Sequence, residues 1–211
     1  MKVVKAGYII LTPKEQLINQ SKMIEKAGRT CYKSEDMITD ESHIKFVDKL
    51  LHTYHHESVI EHSSMTVVFV NDRGVSHEEV RHRLCAFSQE STRYINYTKE
   101  NKGGECSFID IKQHLKNPNV TLGIWMDAMQ YAENAYKAMI DAGESPQIAR
   151  SVLPNSLKTE LVVTTNFREW RHIFKLRTSK AAHPQIREVM NPLLLELKSI
   201  VPVIFDDINP E

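Results

Sequence analysis

The sequence predicts an α+β fold: a single mixed domain over residues 1–211, with a central antiparallel-type sheet flanked by helices. Three observations carry this expectation. Residues 62–70 (HSSMTVVFV) and 157–165 have the alternation and β-branched content of strands. Residues 120–142 and 184–200 repeat apolar side chains at helical spacing. No internal repeat, low-complexity run or linker divides the chain.

Taken in order, residues 2–11 are β-rich and partly alternating, which suits an opening strand. Thr12, Pro13 and Glu15 then supply an N-cap, a proline at the first helical position and a capping-box carboxylate. Gly28 should end that helix near Ala27. A second helix is expected from about Asp40 to Tyr54, with Ile44, Val47, Leu50 and Leu51 on one face. The strand from His62 to Val70 runs into a turn at Asn71-Asp72-Arg73-Gly74. Ser76 and Glu79 then form a capping box for a short helix carrying Arg81, His82 and Arg83. Residues 87–105 are polar, contain Gly103-Gly104 and lack a helical period, the signature of a functional loop. The long helix turns Leu122, Trp125, Met129, Ala132, Tyr136 and Met139 to the core, and Gly143 stops it. Ser145-Pro146 opens a short helix that breaks at Pro154. Asn166 and Glu169 cap a helix through Arg177, and Pro184 to Ile200 forms the last one.

Composition bounds the function classes. The chain carries 27 basic and 27 acidic side chains, a formal net charge of zero, with 41% hydrophobic and 26% charged residues. These are ordinary values for a soluble globular protein. They argue against a basic nucleic-acid tail, an acidic tail or a disordered polyelectrolyte. A chain of this length buries roughly 70% of its unfolded surface and folds without a metal or a disulfide. Cys31, Cys85 and Cys106 are odd in number and include no CxxC pair, so a reducing cytoplasm is expected. The apolar stretch near the N-terminus is broken by Lys5 and has no cleavage signal, and nowhere do 18 apolar residues run together. Neither a signal peptide nor a membrane span is expected.

Three constellations could carry chemistry. The densest runs from Arg81 to Tyr94, with Arg81, Arg83 and Arg93, His82, Ser88, Ser91 and Thr92 within fourteen residues. Arginine's planar fork suits phosphate or carboxylate, and the hydroxyls add donors. The alternative is a solvated helix end, with ion pairs to Glu78, Glu79 and Glu90. The second, His52 to His62, holds four histidines and two glutamates. It is not HExxH, and a helix-to-strand break would separate any i, i+4 pair. Ligand contacts or hydrogen-bonded histidines therefore fit better than a metal, and no metal is expected. The third is the helix 166–177. Phe167, Trp170, Phe174 and Arg177 form a mostly core-facing stripe, with Arg168, Arg171, His172 and Lys175 on a neighbouring basic face. Arg177 continues an apolar stripe and needs a partner there. Arg150, in the largely apolar IARSVLP segment, makes the same case more weakly. Of ten arginines, Arg81, Arg83, Arg93, Arg150, Arg168 and Arg177 lie in these few segments, whereas the seventeen lysines are mostly elsewhere. That segregation favours an oxyanion-binding cavity over a generally basic surface.

RHRLCAFSQES, an Arg-His-Arg followed by seven residues and a serine, resembles the signature of the flavin-dependent thymidylate synthases, and Thr92-Arg93-Tyr94 continues the match. HHESVIEH upstream, ARSVLP at 149–154, NFREWRHIFKLR at 166–177 and AHPQIREV at 182–189 agree in order and spacing, so the resemblance covers about residues 25 to 200. It implies methylation of dUMP at C5 to give dTMP, with the methylene from 5,10-methylenetetrahydrofolate and the hydride of NADPH passing through FAD. It also implies a cytoplasmic homotetramer whose active sites are completed by neighbouring subunits. The missing GxGxxG agrees, because the family does not bind FAD through a Rossmann unit.

Carried over by motif position, the resemblance implies FAD contacts from Ser58, Arg81, His82, Arg83, Leu84, Gln89, Asn166, Arg168 and His172. For dUMP it implies Glu78, Glu79, Val80, Arg81, Gln89, Glu90, Ser91, Thr92, Arg93, Arg150 and Arg177. Arg93 and Arg150, with the Ser91 region, would hold the phosphate, and Arg177 would face the uracil edge and polarise it. Ser91 has the motif position of a nucleophile, but no base stands beside it in sequence, so a binding role is favoured. Glu78 and His172 depart from the glutamine and asparagine found in other members. Cys85 reads as a packing residue. Two other classes compete: a nucleic-acid-binding module using helix 166–180, and a non-catalytic helical assembly protein. Zero net charge, and aromatics placed on the core stripe, argue against a nucleic-acid partner.

Overall fold

Strand periodicity and helix caps place the elements in the structure, a computed structural model that describes all 211 residues, Met1–Glu211. The strands are β1 (Lys2–Val4), β2 (Gly7–Ile10), β3 (Ser64–Asp72), β4 (Ala86–Gln89), β5 (Ser107–Ile109) and β6 (Lys158–Asn166). The helices are α1 (Lys14–Tyr32), α2 (Ser42–Asp48), α3 (Arg73–Glu79), α4 (Pro118–Asp141), α5 (Pro146–Ala149), α6 (Phe167–Arg177) and α7 (Pro184–Ile200). The fold class is the expected mixture of helices and an antiparallel-type sheet. The main sheet has the order β2-β3-β6-β4. Its two long strands keep the period of two expected of strands: Met65, Val67 and Phe69 are buried in β3, and Thr159, Leu161, Val163 and Thr165 in β6. The single opening strand expected over residues 2–11 is instead two, interrupted at Lys5-Ala6. β1 pairs in parallel with β5, matching Lys2 to Ser107 and Val4 to Ile109, and β2 takes an edge of the main sheet.

Residues group into two units, one of Met1–Gly7, Phe69–Arg81 and Ser88–Leu161, the other of Tyr8–Val68, His82–Phe87 and Val162–Glu211. The core of the first joins Tyr97, Cys106, Phe108, Met129, Tyr136, Ala149 and Leu157. Helix α4 presents to it the face read from the sequence, with Trp125 and Met139 packed at its margin and Gly143 past its end at φ +95°. Glu133, on that same face, is buried and accepts from the Cys106 amide at 2.9 Å and from Lys137 at 3.1 Å. A carboxylate survives at a core position because donors meet it.

In the second unit, α6 buries Phe167, Trp170, Ile173 and Phe174, and α7 buries Ile186, Val189, Met190, Leu193, Leu194 and Leu197 at helical spacing. Phe205 meets Phe167 and Phe174 edge-on, each at 5.6 Å, and the Trp170 indole donates to the Met65 carbonyl at 3.1 Å. Each such fully buried side chain contributes about 1.5–3 kcal/mol relative to exposure.

Several helix ends differ from the sequence reading, at α1 because distant contacts replace the local signals. Thr12 does not cap α1; its Oγ1 accepts the Thr66 amide at 2.9 Å, and Pro13 stands at the N-cap. Gly28 does not end α1, which continues to Tyr32 and stops at Lys33 in the left-handed region (φ 50°). Its role is close approach: a Cβ there would lie 2.7 Å from Phe46 Cε1 and 2.9 Å from Leu50 Cδ1. The expected turn at residues 71–74 is a cap, in which Asp72 Oδ1 accepts the Val75 amide at 2.7 Å and starts α3. Ser76 therefore lies inside α3, and the helix ends at Glu79, so Arg81, His82 and Arg83 occupy turns beyond it. The second helix ends at Asp48 and continues as a wider π-type turn over Lys49–Thr53. Replacing Gly28 with valine should destabilise the protein by about 1–3 kcal/mol through overpacking, seen as a lower urea midpoint with an unchanged slope.

Candidate active site

Residues from all three sequence clusters meet in the second unit. A cavity of about 480 Å³ is lined by Glu57, Glu61, Leu84, Asn166, Arg168, Glu169, Arg171, His172 and Lys175. Helix α6 supplies most of it. Asn166 Oδ1 accepts the Glu169 amide at 2.9 Å, and this cap fixes where the first turn begins and hence which side chains face outward. Arg168 donates to Glu61 at 2.5 Å and stands 3.7 Å from Glu57, while remaining half exposed. Leu84 is 77% exposed, an unusual state for leucine, and its carbonyl accepts from Thr165 at 2.9 Å. Of the residues expected to hold a flavin, Leu84, Asn166, Arg168 and His172 line this cavity. Ser58 is exposed on the turn Glu57–His62, which carries two of the lining acids, and Arg83 is exposed beside the buried His82.

Behind the cavity, Arg177 Nε donates to His82 Nε2 at 3.0 Å, which gives the half-buried arginine the partner its position demanded. On the other side of the imidazole, Nδ1 lies 3.6 Å from Glu169 Oε1, and the His172 ring meets it edge-on at 5.9 Å. Burial first, then the positive charge of Arg177 and the neighbouring His172, push the His82 imidazole down to about 4. It is neutral at physiological pH. Burial also pushes the Cys85 thiol up to about 11, so this cysteine is an un-ionised packing residue, as expected.

The residues expected to meet the nucleotide, apart from Arg177, lie in the first unit. Gln89 Nε2 donates to Ser76 Oγ at 2.8 Å and Thr159 Oγ1 at 3.3 Å. Arg150 is exposed but tethered, with Nη1 donating to the buried Thr92 hydroxyl at 2.9 Å. Arg93 is exposed, its guanidinium 5.4 Å from the centre of the Tyr94 ring. Ser91 holds a turn: its carbonyl accepts from the Tyr94 and Ile95 amides, and its Oγ accepts the Arg93 amide at 3.4 Å. Glu79 is buried and accepts from Asn71 at 2.7 Å, with Val80 half-buried after it. Glu90 accepts from the Tyr97 hydroxyl at 2.8 Å and from Lys158 at 3.0 Å. Glu78 is half-buried, its carbonyl accepting the amide of the exposed Arg81.

The family model described as thymidylate synthase complementing protein, Thy1, matches residues 15–203. The chain belongs to the Thy1 family. Relatives include a probable flavin-dependent thymidylate synthase of Mycobacterium phage D29, 33% identical and covering 98% of this chain and 91% of that one. A flavin-dependent thymidylate synthase of Geobacter sulfurreducens is 32% identical, over 87% of this chain and 80% of that one. Among solved structures, the UMP/dUMP methylase PolB of Streptomyces cacaoi bound with 5-Br dUMP matches with a TM-score of 0.77 at 22% identity. That match covers 98% of this chain and 96% of the other. Thymidylate synthase X (ThyX) of Helicobacter pylori, solved with FAD and dUMP, matches with a TM-score of 0.73 at 21% identity, over 96% and 98% of the two chains. These structures share the fold.

One expectation for this Thy1 chain needs correction. Arg171 does not share the basic face with Arg168, His172 and Lys175: it is buried and bound bidentately by Asp207 at 2.6 and 2.7 Å. It also donates to the Ile204 carbonyl and, at 3.3 Å, to Glu57. Position 171 falls one helical turn after Phe167, on the stripe that packs inward, so its charge had to be met by residues distant in sequence. Burial alone would raise the Asp207 pKa, but the Arg171 bonds outweigh it and hold the carboxyl below its usual range. Sequence reasoning missed Glu61 and Glu169 as site residues. Glu61 was absorbed into the question of a histidine metal cluster, and Glu169 was read as a helix cap. Two of that cluster's four histidines are hydrogen-bonded, His52 to the Val203 carbonyl at 3.0 Å and His56 to the Tyr32 hydroxyl at 3.1 Å.

Because the folded His82 binds its proton less readily than the unfolded one, the unfolded chain holds more protons between pH 6.5 and about 4. Stability is full above pH 6.5 and falls as pH drops through that window, by roughly 3 kcal/mol from this group. Urea unfolding at a series of pH values should therefore show a shallower loss for His82→Gln than for the wild type; equal slopes would remove His82 as the cause.

Proposed function

We propose that the protein is a flavin-dependent thymidylate synthase that methylates dUMP at C5 to give dTMP. FAD is its cofactor, 5,10-methylenetetrahydrofolate its carbon donor and NADPH its reductant. The observation that carries the reading is the Thy1 match over residues 15–203. The Arg177–His82 pair behind a donor-lined cavity supports it.

The residues present fit FAD. A cavity of about 480 Å³ with amide, imidazole, guanidinium and ammonium donors beside an exposed leucine suits part of a molecule that is anionic at its pyrophosphate and apolar at its ring. Asn166, Arg168, His172, Leu84 and Ser58 would hold it, with Arg81, His82, Arg83 and Gln89. When bound, the flavin supplies the two-electron reduction that turning a methylene into a methyl group requires.

The chain's own residues bind, orient and polarise. Arg93 and the tethered Arg150 would take the nucleotide phosphate, with Ser91 and Thr92 setting the turn between them. Glu79 and Glu90, their carboxylates held by Asn71 and by Tyr97 and Lys158, would shape that segment around Glu78, Val80 and Arg81. Arg177 would face the pyrimidine carbonyl and draw electron density from the ring in a site closed to water. The Ser91 hydroxyl accepts the Arg93 amide and so helps shape the turn that carries Arg93, which supports a binding role over nucleophilic attack. The whole chain would act as one catalytic domain in a cytoplasmic homotetramer, each active site completed by neighbouring subunits. The exposed Val120, Ile124 and Tyr131 of α4, at 66%, 65% and 79%, favour such assembly.

Purified protein should be yellow, or become so with FAD, and NADPH should bleach it in a dUMP-dependent way while dTMP accumulates. A colourless protein that fails to bind FAD would overturn the reading. Arg177→Ala should lose dTMP formation by about 10²–10³-fold. Ser91→Ala should keep turnover within about tenfold, as expected for loss of a binding hydrogen bond. Its complete inactivity with FAD and dUMP still bound would make Ser91 the nucleophile.

A further inference from the structure

The contacts of His82 fix where its proton sits. An arginine Nε–H is always a donor, because the guanidinium does not deprotonate in proteins. With Arg177 Nε at 3.0 Å, the Nε2 of His82 must present its lone pair. The ring is neutral, so its one proton is on Nδ1, and Nδ1 faces the Glu169 carboxylate at 3.6 Å. Both residues are buried, which strengthens the attraction between them. Glu169 is held in turn at the start of α6, where Asn166 caps its amide.

The ligand atoms of His82, Glu169 and His172 lie within 4.8 Å of one another, a spacing that could hold a metal ion. The donor chemistry points elsewhere. A cation on Nδ1 would need a second lone pair from a ring whose first is already taken by Arg177, and a neutral imidazole has only one. The trio is built around a proton on Nδ1.

We propose that Glu169 is a positioning residue for Arg177: by holding His82 in its Nδ1–H tautomer, it turns the Nε2 lone pair toward Arg177 and thereby sets the guanidinium's orientation toward the pyrimidine. This rests on the role given to Arg177 above. Without an acceptor at position 169, the ring can take the Nε2–H tautomer, which sets one N–H against another and drives Arg177 from its place. Glutamine at 169 keeps an acceptor and so keeps the tautomer, although it removes the charge. Leucine does not.

The test uses FAD-loaded enzyme carrying ¹³C/¹⁵N-labelled histidine, with the His82 resonances assigned by their disappearance in His82→Gln. Wild-type His82 should be neutral and Nδ1-protonated at pH 7. Glu169→Leu should shift it to Nε2–H and weaken dUMP binding by about tenfold or more, and Glu169→Gln should preserve the tautomer and most of the affinity. Should the leucine variant not fold, the tautomer in wild type and in Glu169→Gln still decides. A cationic or Nε2-protonated wild-type ring overturns the inference, as does zinc binding that displaces the Nδ1 proton. A tautomer that shifts in Glu169→Leu with dUMP affinity unchanged overturns the coupling to substrate and Arg177's assigned role. Absence of dTMP formation by the wild type is a separate result, which sinks the proposed function whatever the tautomer.

Discussion

Eleven residues of α6 have to bury three aromatic rings on one side and still deliver charged groups to a cavity on the other, and much of the second unit follows from that. Helical periodicity gives the inward stripe to Phe167, Trp170, Ile173 and Phe174, and it puts Arg171 on the same side. A guanidinium so placed is tolerable only if met with good geometry, since breaking a buried pair leaves an uncompensated charge. Asp207 meets it with both oxygens, and the Ile204 carbonyl adds a further acceptor. The segment after α7 is thus tied to α6 by charge as well as by the packing of Phe205 on Phe167 and Phe174. With that side fixed, Arg168, His172 and Lys175 are left as the exposed cations of the cavity, which the buried and paired Arg171 also lines.

The same division explains what the sequence could and could not disclose. Elements whose signal is local and repeated were legible: α7 has the bounds read from the sequence, α4 and α6 differ by no more than two residues at either end, and the core face of α4 is the one expected. Ends decided by a distant partner were not. Nothing near Thr12 announces that the Thr66 amide will take its hydroxyl, and nothing near Gly28 announces Phe46 and Leu50 against its Cα. The site divides likewise. Its arginines were conspicuous by type and clustering, whereas Glu61 and Glu169 matter because of what they face. A glutamate on the first turn of a helix is common enough to read as a cap.

Zero net charge takes a local form here. The cavity cations do not sit in a basic patch: Arg168 is paired with Glu61 and approaches Glu57, and Glu57 also meets Arg171 and, at 3.9 Å, Lys175. An anion entering this cavity exchanges for a carboxylate instead of meeting bare positive charge. Affinity then depends on how well a ligand's shape and acceptors match what Glu61 already offers Arg168, and long-range attraction contributes little.

His82 shows the consequence of this pairing at the scale of one ring. A histidine between an arginine and a glutamate could in principle be cationic, matched to the carboxylate, or neutral, matched to the guanidinium. Burial decides, because a charged imidazole pressed against a permanent cation in a dry pocket is the costlier choice. The neutral ring then behaves as an amphoteric spacer, accepting on one nitrogen and directing its proton toward a carboxylate on the other. It passes an orientation from the first turn of α6 to the last without carrying a charge of its own.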